Sequence, residues 1–496
     1  MGVSRGSGHL AIDFGAESGR AFVGRLSERI ELEEIGRFRN LSVQLSDRLA
    51  WNTAAMREFT LQALEGAGPV ESVSVDGWGV DFGLLRADGT LVSPPRSYRD
   101  QSTAGVLTRL ASLVPPRELY ARTGIQMMEI NTLCQLLALR EKHPEELAAA
   151  ERLLLIPDLL RHWLGAEPGC ERTNASTTQM LQPNGEWAAD LVEACGIDPS
   201  ILPPVVDSTA QVGFAAGSSR KVVLVAGPSH DTAAAVAGTP LSSGTAFISS
   251  GTWSLVGLEL LGPVIDERAR SLNLSNEHGV GSTTRLLRNV MGLWIVQECR
   301  RVWASADGYE TDYPSLMRML EDLPSGGILI DVDAPEFLRP LDMPAAIRAQ
   351  CSRTGQRAPA GRGEMLRAII DSLALRYRWV IDALEVCSGV TIAAVTIIGG
   401  GAQNKALCQA TADACGRPVE VGPAEATVLG NVLVQGVAMG RLAGIGEGRR
   451  LIRESFPPAI YEPRLPGHWV ELYQRFRELF PAPGAFAEQL PGTPTA

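Results

Sequence analysis

The chain has 496 residues, of which 45% are hydrophobic, 20% charged and 6% aromatic, and it carries a formal net charge of -11. A prior of roughly 150 residues per domain divides such a length into two or three units, and the composition supports substantial buried cores. The acidic balance argues against a broad nucleic-acid or anionic-membrane surface, because both need a net basic face. No apolar run approaches the ~18 residues that span a bilayer, and residues 1–8 lack the charged-then-apolar layout of a signal peptide. A cytoplasmic location with no membrane partner is therefore predicted. Eight cysteines, with no CxxC spacing and no grouping with the six histidines, predict buried free thiols.

In chain order, residues 9–14 read as a strand, 15–19 as a turn, 20–26 as a second strand and 30–38 as a third. A β run over 72–75 ends at DGWGVDFGLL, where Asp76 and Asp81 bracket Trp78 and Phe82, and ADGT at 87–90 supplies a turn. From 131 to about 164, Leu133, Leu136, Leu137 and Arg140 recur at helical spacing, interrupted by Pro144. Residues 183–220, rich in Pro, Gly, Ser and Asn, predict loop, and a strand over 221–226 followed by a helix closes the first half.

The second half opens as the first did. AFISSGTWSLVGLEL (246–260) repeats the strand, small-residue turn and strand of HLAIDFGAESGRAFVGRL, which predicts two similarly built units. A helix over 365–387, a strand over 393–398 and the glycine run GGGAQN (399–404) follow. Residues 422–440 read as turn and helix, with Gly430 and Gly436 small enough for close packing, and the tail beyond 493 is expected to fray.

Turns that present backbone N–H groups and hydroxyls can cradle phosphates. Residues 15–20 and 249–252 are candidates for such turns; either alone reads more readily as an ordinary hairpin, but two in matching places shift the balance toward phosphate. Asp13 ends an apolar strand and reads as a turn cap or as a magnesium ligand. Asp231 follows a buried strand and precedes an alanine-rich helix, so it reads as an N-cap or as a carboxylate held for chemistry. The glycine run lacks GxGxxG spacing and GxxxxGK[ST] is absent, which leaves no Rossmann or P-loop assignment.

DFGAESGR, DGWGVDFGLL, YRDQST, NTLCQL, TNASTTQ, SHDTAAAV, SSGTWSLVG, NVMGLW, DSLAL, GGGAQN and ADACGRPV with GPAEATVLGN occur in that order. Together they resemble the FGGY carbohydrate kinases of the actin and hexokinase superfamily, over about residues 9 to 460. The resemblance implies an α/β chain of two ribonuclease-H-like domains with a catalytic cleft between them. Residues 1–242 would hold the sugar, the first phosphate turn and the base; residues 243–460 would hold ATP; a helix and tail would fill 461–496.

It also implies Asp231 as catalytic base, with Gly79, His230, Thr232 and Asn289 beside it at the sugar. Ala16, Glu17, Ser18, Gly19, Arg20, Thr252, Gln297 and Gly400 would meet ATP, and Asp13 would serve Mg²⁺. The implied reaction is ATP-dependent phosphorylation of the terminal hydroxyl of a ketose. The identity of the ketose stays open at this point, as does the reading of an actin-like ATPase or sugar-responsive binding protein. Glu17 is physically conspicuous, since a carboxylate among phosphate donors is repulsive unless it faces water, Arg20 or the metal.

Overall fold

The opening strand Gly8–Phe14 is buried along its whole length, the condition in which a strand reads as one apolar run rather than as an alternation. On one side it pairs antiparallel with Ser18–Leu26, which pairs antiparallel with Ile30–Arg39. On the other side Val70–Gly77 runs parallel to it, then Val223–Val225 parallel, then Gln211–Phe214 antiparallel. This computed structural model describes residues 8–216, 221–320 and 322–481; the leader reading of residues 1–8, Gly8 apart, and the frayed tail lie outside the described residues.

The second sheet repeats that order. Thr245–Ser250 pairs antiparallel with Trp253–Leu260, and that strand with Thr284–Met291. On the opposite side Ala394–Ile398 and Val419–Val421 are parallel and Ala459–Tyr461 is antiparallel. One additional strand, Ser275–His278, extends the edge beyond Thr284–Met291. The internal repeat anticipated from two hairpins is thus a repeat of whole-sheet topology.

Two local expectations change. The helical stretch from 131 contains Thr132–Lys142 and Pro144–Ala148, but Arg152–Leu155 is a strand paired with Phe82–Leu85 before the helix Ile156–Trp163. Leu153, Leu154 and Leu155 form a short, wholly buried apolar run, for which periodicity does not separate strand from helix. The segment expected to be loop contains the helix Ala189–Ala194 and the strands Val205–Val206 and Gln211–Phe214.

Packing also crosses the midpoint of the chain. The helix Ala426–Ala438 places Val428 and Val432 against Ala11 and Phe22 of the first sheet. Its Gln435 donates to the Leu10 carbonyl at 3.0 Å and accepts from the Ser72 hydroxyl at 2.7 Å. All eight cysteines are unpaired, six of them buried. Among the described residues no helix is long and apolar enough to cross a membrane.

Candidate active site

Parallel pairing brings three carboxylates together at the ends of neighbouring strands. Asp13 and Asp76 are register partners, and Gly77 bridges to His230, the residue before the helix Asp231–Ala237. The Gly77 N–H donates to the Ser229 carbonyl at 3.0 Å. A side chain at 77 would meet the Phe14 carbonyl at 3.0 Å and Pro157 at 3.3 Å, so glycine suits this close approach. The carboxyl ends of strands in α/β sheets are the ordinary place for ligands.

Both small-residue turns open on one cleft of about 450 Å³. It is lined by Asp13, Ala16, Glu17, Ser18 and Arg20 from the first turn and by Thr252, Gln297 and Gly400 from the second half. Gly79, His230, Asp231, Thr232 and Asn289 line it as well. Gly19 does not. It lies in the strand Ser18–Leu26, where a Cβ would stand 2.8 Å from the Phe14 ring, so its smallness serves packing.

The polarity of the site follows from burial. Asp13 accepts from Arg20 Nε at 2.8 Å, and Arg20 reaches Glu425 at 2.9 Å. Asp76 is fully buried beside Asp13 and accepts from Asn431 Nδ2; burial first, then the Asp13 charge, raise its carboxyl well above the usual range. Asp231 opens on the cleft, and burial together with the Asp13 charge pushes it up to about 7. His230 moves the opposite way, drawn well below the ordinary histidine value by burial and by Arg285. The N-cap of the helix is His230, and Asp231 is its first residue.

The sequence reading did not anticipate Gln126, Thr177, Glu277, Arg300 or Tyr313, which also line the cleft. Gln126, Glu277, Arg300 and Tyr313 sit in no glycine-rich or small-residue motif, so no local signal marks them; Thr177 lies in TNASTTQ, a motif that carries the resemblance but was given no site role. Trp78 lines the cleft, whereas Phe82 belongs to a separate buried cluster. Asp81 organises the wall behind Trp78: it accepts from Trp51 Nε1 at 2.6 Å, Trp78 Nε1 at 3.0 Å, the Tyr98 N–H at 3.1 Å and Gln135 at 2.9 Å.

A divalent ion fits the donor set here. Asp13 has one oxygen engaged by Arg20, and a carboxylate retains further acceptor capacity. Mg²⁺ characteristically uses one or two carboxylates together with phosphates and water. Another acidic group, Asp47, His143 and Glu146, has ligand-like spacing, but Arg48 lies 2.6 Å from both carboxylates. That group is a charge-matched network.

Two sheets of one topology whose turns open on a common cleft give the two-domain fold of the actin and hexokinase kind. Solved structures share the fold. A gluconate kinase from Lactobacillus acidophilus superposes with a TM-score of 0.75 at 15% identity, covering 96% of each chain. Plasmodium falciparum glycerol kinase with ADP superposes at 0.75 and 16% identity, covering 96% of this chain and 99% of its own. Models of the FGGY family of carbohydrate kinases match residues 40–238 (N-terminal domain) and 246–439 (C-terminal domain). The rhamnulokinase of Bacteroides thetaiotaomicron is 37% identical over 481 residues, 94% of this chain and 98% of its own. That of Pectobacterium carotovorum is 38% identical over 480 residues, 95% and 96% of the two chains. The chain belongs to the FGGY family of carbohydrate kinases.

Proposed function

We propose that this carbohydrate kinase transfers the γ-phosphoryl group of ATP to O1 of L-rhamnulose, giving L-rhamnulose 1-phosphate and ADP in the cytoplasm. The observation that carries the reading is the place of Asp231, at a strand-to-helix junction on a cleft shared by both turns. Near-full-length similarity to rhamnulokinases supports the choice of sugar. The cleft wall adds a chemical reason: Trp78, Ile125, Met128 and Ile130 lie beside Gln126 and Asn289, a surface suited to a deoxyketose with one apolar end.

In this reading residues 1–242 hold the sugar and the base, and residues 243–460 hold most of the nucleotide. Asp231 takes the proton of the O1 hydroxyl as that oxygen attacks the γ-phosphorus in line, and the bond to the ADP oxygen breaks. Phosphoryl transfer has a loose transition state in which positioning and charge neutralisation dominate. Ala16, Ser18, Arg20, Thr252 and Gly400 therefore act by orienting phosphate through backbone and side-chain donors, Gln297 by bordering the nucleotide. Gly79, His230, Thr232 and Asn289 orient the sugar. Asp13 serves the Mg²⁺ that accompanies ATP, an ion that neutralises phosphate charge when bound.

The test is ADP release with Mg-ATP against L-rhamnulose, L-fuculose, L-ribulose, D-xylulose and glycerol. L-Rhamnulose should give the highest kcat/KM. A different leading sugar overturns the substrate assignment, and release independent of sugar overturns the kinase mechanism.

A further inference from the structure

The edge of the second sheet reaches the sugar end of the cleft. Alternation places Arg285, Leu287 and Asn289 on one face of Thr284–Met291, and antiparallel register sets Glu277 opposite Arg285. That face looks toward the helix Asp231–Ala237, since Leu287 packs with its Val236. Asn289 and Glu277 line the cleft, whereas Arg285 lies behind it, fully buried.

Arginine is almost never buried in this way without partners. Arg285 Nη2 lies 3.1 Å from Glu277 Oε2 and 3.0 Å from His230 Nδ1, and its Nε donates to the His278 carbonyl at 3.2 Å. A guanidinium has donors only, so His230 Nδ1 is the acceptor of that bond. An imidazole whose Nδ1 accepts carries its proton on Nε2, and Nε2 is the atom 3.6 Å from Asp231 Oδ1. Glu277 Oε2 lies farther from Nδ1, at 3.5 Å.

We propose that Arg285, held by Glu277, is a positioning residue that fixes His230 as the Nε2–H tautomer, so that a donor faces the Asp231 carboxylate at the sugar site. The inference rests on the reading of Asp231 as base. In the other tautomer a lone pair on Nε2 would face the carboxylate and compete with it for the sugar proton. A doubly protonated imidazole would pair with Asp231 and weaken it as a base. Arg285 disfavours both, the first by occupying Nδ1 and the second by its charge.

The test uses the full chain with ¹⁵N-labelled histidine, His230 being assigned by loss of its signals in His230→Gln. The wild type should show an unprotonated Nδ1 and a protonated Nε2. Glu277→Gln with Arg285→Met removes the pair without leaving a buried charge. It should show mixed tautomers and a kcat lowered on the order of 10- to 100-fold, as when an orienting partner of a functional imidazole is lost, with KM for ATP unchanged. A wild-type signal with the proton on Nδ1, bonded to Glu277, overturns the proposal even if the double variant does not fold. So does a folded double variant with wild-type kcat. Asp231→Asn separates the two readings. If it stays active, the assignment of the base fails whatever the tautomer; if it is inactive while the tautomer result fails, only the role of Arg285 falls.

Discussion

Gly430 faces Ala234 so closely that a Cβ on it would stand 1.8 Å from the Ala234 carbonyl oxygen; one on Gly238 would stand 2.0 Å from the Ala426 oxygen. Backbone therefore meets backbone where the helix beginning at Asp231 crosses the helix Ala426–Ala438. The crossing seats the carboxylate of one half against a helix from the other. Gly430→Ala gains about 1 kcal/mol of helix propensity but overpacks a contact that no rotamer relieves, at about 1–3 kcal/mol or more. The clash wins. The variant should unfold at lower denaturant concentration with unchanged slope and lose kcat. Gly446→Ala, in the helix Ile445–Ser455 where nothing lies near the added carbon, should be neutral or stabilising.

Asp231→Asn keeps the size of the side chain and removes the proposed proton acceptor. General-base assistance is typically worth ~10²–10⁴ in rate, so kcat for sugar phosphorylation should fall by that order while ATP binding, read by calorimetry, remains. Turnover near the wild-type value would return Asp231 to a helix-terminus role.

As the proposed base, the same carboxylate should set the pH dependence. With its pKa raised to about 7 by burial and by Asp13, the working, deprotonated form is lost as pH falls. The kcat/KM for the sugar should then drop tenfold per unit below about 7. The Asp13 charge contributes to that rise, so Asp13→Asn should move the limb to lower pH. Stability runs the other way: the folded state holds this proton more tightly than the unfolded chain, so the group's contribution declines as pH rises from 3.8 toward about 7. Asp231→Asn should accordingly raise Tm more at pH 8 than at pH 5, and an equal shift at both would place the charge in water.

Small residues made much of this site legible. Turns such as Gly15 to Gly19 and Ser249 to Thr252 announce themselves because few residue types tolerate a tight approach, and their matched positions forecast the repeated sheets. The close packing anticipated at Gly430 is real, but its partner Gly238 carried no signal of its own. Arg285 and Glu277 were hidden for a different reason. Each sits on a strand that the sequence pattern did not predict, and only the register between the two strands and the approach of His230 join them into a buried network. In the sequence Asp76 reads only as a bracket around Trp78, since its closeness to Asp13 depends on the parallel pairing of two strands far apart in the chain. The strand Arg152–Leu155 was lost to helix because three buried leucines fit either period.

Glu17 turns toward Arg99, 4.0 Å away, while Arg20 is engaged with Asp13 and Glu425. Burial raises its carboxyl against the pull of Arg99, and the Arg99 guanidinium is also stacked over Trp294 at 4.3 Å. The charge is partly exposed, where such interactions amount to about 0.2–1 kcal/mol. Glu17→Gln should therefore lower KM for Mg-ATP by roughly two- to fivefold, and the difference should shrink at about 0.5 M salt. An unchanged KM would mean that the carboxylate faces away from the nucleotide.

Arg339 joins the two halves of the chain beside Tyr98, a residue that lines the cleft. From the second half it donates to the Arg99 carbonyl at 3.1 Å and to the Thr103 hydroxyl at 2.9 Å, and it lies 3.5 Å from Glu129. Trp253 crosses in the same direction to the Tyr98 hydroxyl at 3.3 Å. Closing a cleft over a phosphoryl donor keeps water from competing with the sugar, so contacts that hold the halves together favour transfer over hydrolysis. Arg339→Ala should raise KM for the sugar roughly tenfold, the equivalent of about one charge-assisted hydrogen bond, and increase the radius of gyration of the ligand-free protein in solution scattering. Sugar with a nonhydrolysable ATP analogue should restore the compact profile. An unaltered profile and KM would shift the clasp to the Trp253–Tyr98 contact, where Trp253→Phe, which removes only the donor, becomes the decisive variant.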